Sequence, residues 1–163
     1  MLAVVVTASV AAAAIDLRTG RIPNLLTATV AAAGVGLAAL GMTGHSVAGA
    51  ACGALVGCLL MLPGHVLGGT GAGDVKLVAS LGTLLGPAGV LMAVLYGAIA
   101  GGVLAVAHAI NRRRLRSTIS RTARLVAAPR DAKTEIDRAA ATSRFAYGPA
   151  IAIGAIAAAL LMK

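Results

Sequence analysis

The sequence predicts an all-α, polytopic integral membrane protein with about six transmembrane helices and one basic cytoplasmic loop. Three observations carry this. First, 59% of the 163 residues are hydrophobic and only 12% charged, with a mean hydropathy of +0.93. A soluble domain carries about 25% charged residues, so too little polar surface remains here to cover a globule. Second, uncharged apolar runs follow one another at 1–15, 25–40, 47–67, 75–85 (broken only by Lys76), 90–110 and 149–162. Third, most of the charge is gathered in one stretch, 111–146, with ten basic and three acidic residues. Disorder is excluded by the hydrophobicity, and a disulfide scaffold by the presence of only two cysteines.

Helix is the expected state of every run. Lipid satisfies no backbone polar group, and a barrel needs alternating rather than continuous apolar strands. Run 1–15 is read as a retained first helix and not as a cleavable signal, because its charges follow the apolar core instead of preceding it. Run 25–40 opens after the Ile22-Pro23 break, with Asn24 as its expected cap. Run 75–85 has 11 residues before Gly86-Pro87, about half a bilayer at roughly 1.5 Å per residue. Either it continues through 86–89 into the next run or it begins below the membrane surface.

The turn-rich pieces 41–46 and 86–89 contain no Lys or Arg, and they alternate with the loops holding Arg18 and Arg21, Lys76, and the 111–146 cluster. The positive-inside rule makes the basic loops cytoplasmic and, with six spans, turns both termini outward; Lys163 is the one dissent. Within 111–146, Leu115, Ile119, Thr122 and Val126 form one largely apolar stripe beside arginines, ended by Pro129. This segment is expected to set topology and to meet anionic membrane lipid. It lacks interleaved aromatics and any base-reading motif, so nucleic acid is not an expected partner. Twenty-one glycines, including Gly34-x-Gly36 and Gly53-x-x-x-Gly57, suit close helix packing.

Outside the basic segment the chain has two acids, Asp16 and Asp74. An ionisable residue at a membrane span is costly and marks function by default. Two crossings separate them, which puts both at the cytoplasmic ends of their helices. Carboxyl groups within hydrogen-bond reach share a proton. One can then activate a water while the other polarises a carbonyl, and the pair can protonate the departing amine. Before Asp74, Gly68-Gly69-Thr70-Gly71-Ala72-Gly73 is too flexible for a span, and its glycines permit positive φ beside a substrate backbone.

These residues carry a resemblance. Asp16 followed by Arg21-Ile22-Pro23-Asn24, then Gly71-x-Gly73-Asp74-Val75-Lys76-Leu77, and finally Tyr147-Gly148-Pro149-Ala150, resemble the motifs of the type IV prepilin peptidases. That family belongs to the GxGD intramembrane aspartic proteases. The resemblance implies a single membrane-embedded peptidase domain, 1–163, in the cell (inner) membrane of a bacterium or archaeon. It would cut the leader of a prepilin or pseudopilin, commonly after a glycine, on the cytoplasmic side. Asp16 and Asp74 would be the catalytic pair, Gly71 and Gly73 would shape the loop, and Pro23, Asn24 and Lys76 would belong to the signature. No cofactor is implied. Larger relatives carry a cytoplasmic domain with paired CxxC cysteines and also N-methylate the product. Cys52 and Cys58 lie inside an apolar run, so the chain is similar to the small Flp/Tad-type form.

Other readings compete. Asp16 could be a surface aspartate paired with Arg18 or Arg21, and Asp74 a helix cap. Lys76 is better read as an interfacial anchor than as a participant. His45, His65 and His108 lack ligand spacing and are read as structural, so no metal site is expected. The rival functions are a GxGD protease for other membrane-anchored substrates, a small cation- or proton-coupled carrier using both acids, and a silent scaffold.

Overall fold

The computed structural model describes residues 1–111 and 148–161. The basic stretch 112–146, with the lipid and topology roles expected of it, lies outside the described residues, as do Tyr147 and Lys163. Among the described residues there are five helices and no strand: α1 (Leu2–Thr19), α2 (Asn24–Ala39), α3 (Val47–Val66), α4 (Ala72–Asn111) and α5 (Gly148–Leu161).

Local chemistry explains where each begins and ends. Gly20 stops α1 in a left-handed conformation (φ 62, ψ 21), and its N–H bonds the carbonyl of Asp16. Pro23, extended at φ −64 and ψ 137, is the N-cap of α2. This corrects the cap expected at Asn24. The cap position needs an extended backbone, which Pro23 already supplies, and Asn24 is instead the first helical residue. Ser46 caps α3, its Oγ accepting the Gly49 N–H at 3.2 Å.

α4 is not one straight rod. Gly86 is non-helical (φ 70, ψ 179) and is followed by Pro87, which divides the helix into arms 72–85 and 87–111. A Cβ placed on Gly57 of α3 would stand 2.8 Å from the Val78 carbonyl oxygen and 3.2 Å from Val90 Cγ2. An uninterrupted helix would hold those two residues about 18 Å apart. The chain therefore doubles back at Gly86, and the runs 75–85 and 90–110 are the two arms of a helical hairpin. His45 secures its tip: Nδ1 faces the Thr43 carbonyl at 3.2 Å and Nε2 the Thr83 carbonyl at 3.1 Å.

Packing inverts the habit of a soluble protein. Val10, Leu25, Leu55, Ile99 and Leu160 are each more than half exposed, while the interior holds Ala8, Ala12, Ala93, Ala155 and Ala158. Small residues let helix backbones touch. Gly53 lies against the Gly82 carbonyl, Gly34 against Thr83, and Gly154 against the Ala93 carbonyl. Gly36 meets nothing within 4 Å, so of the Gly34/Gly36 pair only Gly34 packs. Large side chains are buried chiefly on the first arm of α4, where Leu77, Leu81 and Leu84 are wholly enclosed. Around that arm pack α2, α3 and the second arm, while α5 joins the hairpin to α1. By length and composition α1, α3 and the Ala72–Leu104 part of α4 can cross a membrane, and α2 and α5 are shorter apolar helices.

Candidate active site

Both aspartates stand on buried stripes of their helices. In α1 the buried residues are Val5, Ala8, Ser9, Ala12 and Asp16, steps of three and four that keep one face inward. In α4, Asp74, Leu77, Val78 and Leu81 repeat that spacing. Helical periodicity alone therefore turns each carboxyl group into the protein, 8% exposed in both cases, whereas Arg18 and Arg21 are exposed.

Each carboxylate is held by a backbone amide. Asp74 is in the first turn of α4, and its Oδ2 accepts the Gly71 N–H at 3.1 Å. It reaches back to the residue before the helix, as the acidic member of a capping box does. Asp16 Oδ2 accepts the Gly148 N–H at 2.9 Å, from the start of α5. Gly148 has to be small, since a Cβ there would stand 2.7 Å from that oxygen. In the sequence, Gly148 stands out only as part of the Tyr147-Gly148-Pro149-Ala150 motif, which assigns it no role. A Gly-Pro pair opening an apolar run was the available signal, but it names no partner.

The loop between α1 and α2 brings the two acids to one end of the bundle. A Cβ on Gly73 would press on Ile22 Cβ at 3.2 Å, so glycine lets the loop lie on the first turn of α4. Lys76 Nζ donates to Asn24 Oδ1 at 2.9 Å, tying the same turn to the start of α2 just after Pro23. The expectation of positive φ in the glycine loop holds at Gly68 (φ 80) but at neither Gly71 nor Gly73. Those two serve close approach: Gly71 to the Asp74 carboxylate, Gly73 to Ile22.

A cavity of about 130 Å³ opens beside Asp74. Its walls are Val78 and Leu81 from one arm of the hairpin, Val90 and Ala93 from the other, and Ala150 and Ala155 from α5. Among the described residues, Asp74 is the only ionisable side chain lining it. Asp16 does not line it; α5 links the two, with Gly148 holding Asp16 and Ala150 forming cavity wall. Among the described residues no three His, Cys, Asp or Glu side chains converge as metal ligands, and Cys52 and Cys58 are free thiols.

Fold and site together define an all-helical protein suited to a membrane, with two buried carboxyl groups at one end of its bundle. More narrowly, the chain belongs to the type IV leader peptidase family, whose model matches residues 3–106, more than half of its length and a stretch that contains both aspartates. Membership makes it a peptidase by descent. No curated protein and no solved structure matches the chain.

Proposed function

We propose that this protein is an aspartic endopeptidase that removes the leader of type IV prepilins or pseudopilins at the cytoplasmic face of the membrane. The observation that supports it best is that two acids distant in sequence are buried at one end of the bundle, each with one oxygen fixed by a backbone amide. In this reading the pair carries one proton. The ionised carboxylate takes a proton from a water, whose oxygen attacks the peptide carbonyl, while the protonated partner donates to the carbonyl oxygen. Collapse of the tetrahedral species breaks the C–N bond as the pair returns a proton to the departing amine. Gly71 and Gly73 shape the approach, and Lys76, Asn24 and Pro23 hold the end of the loop that follows Asp16 and α1. The step needs no cofactor.

The same reading makes the hairpin two crossings, six in all with α1, α2, α3 and α5. Arg18, Arg21 and Lys76 share the end that carries the acids, while His45 and the hairpin tip lie at the other, which supports a cytoplasmic site. The first arm spans only about 21 Å at 1.5 Å per residue, so Asp74 would sit below the surface of a hydrocarbon layer about 30 Å thick. A substrate with a basic leader and a hydrophobic helix could rest its helix among the exposed Leu, Val and Ile side chains while its junction reaches the acids.

The deciding experiment is cleavage of a co-expressed prepilin by wild type, Asp16→Asn and Asp74→Asn, each checked for membrane expression. Both variants are expected to lose at least about 100-fold in rate, the lower range of general acid–base contributions. A variant that still cuts at the wild-type rate removes that aspartate from the mechanism.

A further inference from the structure

Among the described residues two buried side-chain oxygens have no hydrogen-bond partner: Ser9 Oγ and Thr70 Oγ1. Buried polar groups are nearly always paired, so each orphan calls for a reason. Ser9 is enclosed in α1. Thr70 is placed differently: it borders the apolar cavity together with Asp74. Its main chain is fully used, the N–H bonding the Gly64 carbonyl at 3.2 Å and the carbonyl receiving His65 Nδ1 at 3.0 Å. Only the hydroxyl is left over. Beneath it lies Gly64, where a Cβ would sit 3.3 Å from both Thr70 Oγ1 and Cγ2. Glycine there leaves the side chain room to change rotamer.

A hydroxyl both donates and accepts, so it can serve either polar group of a peptide bond. Among the described residues, the lining of the cavity is apolar except for Asp74 and Thr70 itself. An engineered apolar cavity of about 150 Å³ binds benzene, so a cavity of about 130 Å³ has the size of one phenyl or isobutyl group. We propose that Thr70 is a substrate-binding residue: its hydroxyl hydrogen-bonds the substrate backbone beside the bond at Asp74, and the cavity receives one large apolar side chain flanking that bond. This rests on the peptidase reading above. It gives the orphaned hydroxyl its reason, a polar group left unpaired in the free enzyme and paired in the complex.

The test uses the full chain in detergent or liposomes with a prepilin substrate. Thr70→Val keeps the shape and removes the hydroxyl, so its thermal midpoint is expected to rise by about 2–4 °C. Its kcat/KM is expected to fall by about tenfold, one hydrogen bond's worth, and Thr70→Ser restores it. Ser9→Ala, the other orphan, is expected to gain similar stability with cleavage unchanged. Ala98→Leu adds bulk at the cavity wall. With each residue flanking the cleaved bond varied in turn, it is expected to shift preference from phenylalanine toward alanine at one position by about tenfold or more.

Thr70→Val cleaving like wild type overturns the proposal, as does a Thr70→Val enzyme that is both less stable and less active. So does an Ala98→Leu enzyme with unaltered preference at every position. If wild type itself cuts no prepilin, the peptidase reading fails and takes this one with it. That outcome is distinct from a wild type that cuts while Thr70→Val makes no difference.

Discussion

Lys76 and Asn24, 52 residues apart, are joined by a 2.9 Å hydrogen bond between Nζ and Oδ1. The bond fastens the first turn of α4, two residues past Asp74, to the first residue of α2, just beyond the loop that follows Asp16. It links the helix that carries Asp74 to the helix that follows the Asp16 loop. A lysine expected only to anchor at the membrane surface is thereby given a protein partner.

Lys76→Met and Asn24→Leu are each expected to lower thermal stability modestly, since Lys76 is exposed. A double-mutant cycle read by thermal unfolding should give a coupling of about 0.5 kcal/mol, the double variant falling short of the sum of the singles. Asn24→Asp, which keeps an acceptor, should retain cleavage. A coupling of zero would mean that the contact contributes nothing in solution.

Gly148→Ala should damage activity more than stability. Its Cβ would press on Asp16 at 2.7 Å from Oδ2 and 2.8 Å from Cβ, forcing the carboxylate aside. A displacement near 1 Å at a reacting group costs about 100-fold in rate, and that loss is expected in kcat/KM for prepilin cleavage. Gly102→Ala, whose Cβ would meet nothing within 4 Å, is the matched control and should cleave normally.

Backbone contact between helices sets a third expectation. A Cβ on Gly53 would run into the Gly82 carbonyl, and the reverse holds for Gly82. Gly53→Ala should therefore destabilise by about 1–3 kcal/mol, the usual range for overpacking. Gly36→Ala, with open space around it, should be neutral or stabilising by up to about 1 kcal/mol. Thermal unfolding in one detergent compares them directly; equal effects at both positions would contradict the packing described.

Much of the architecture was legible because few residues could carry information. With two acids outside the basic stretch, scarcity alone singles out Asp16 and Asp74, while the buried stripe that each shares with its helix is seen only in the structure. What sequence could not convey was partnership at a distance. Asn24 reads as a cap because that preference is local, but its side chain is taken by a lysine 52 positions away. Gly148 offers a backbone amide, a group every non-proline residue has, so nothing in its identity points to Asp16. The 75–85 run was ambiguous for a related reason. Hydropathy reports how apolar a stretch is and not its direction, and the reversal appears only when Val78 and Val90 are found beside the same Gly57.

The bond from Gly148 to Asp16 also ties competence to the order of synthesis. Asp16 emerges early from the ribosome, and the amide that fixes it is made 132 residues later. At about 5–20 residues per second, a nascent chain holds both acids for several seconds before that amide exists. On the peptidase reading, a half-made chain therefore carries both acids while Asp16 still lacks the hydrogen bond that orients its carboxylate.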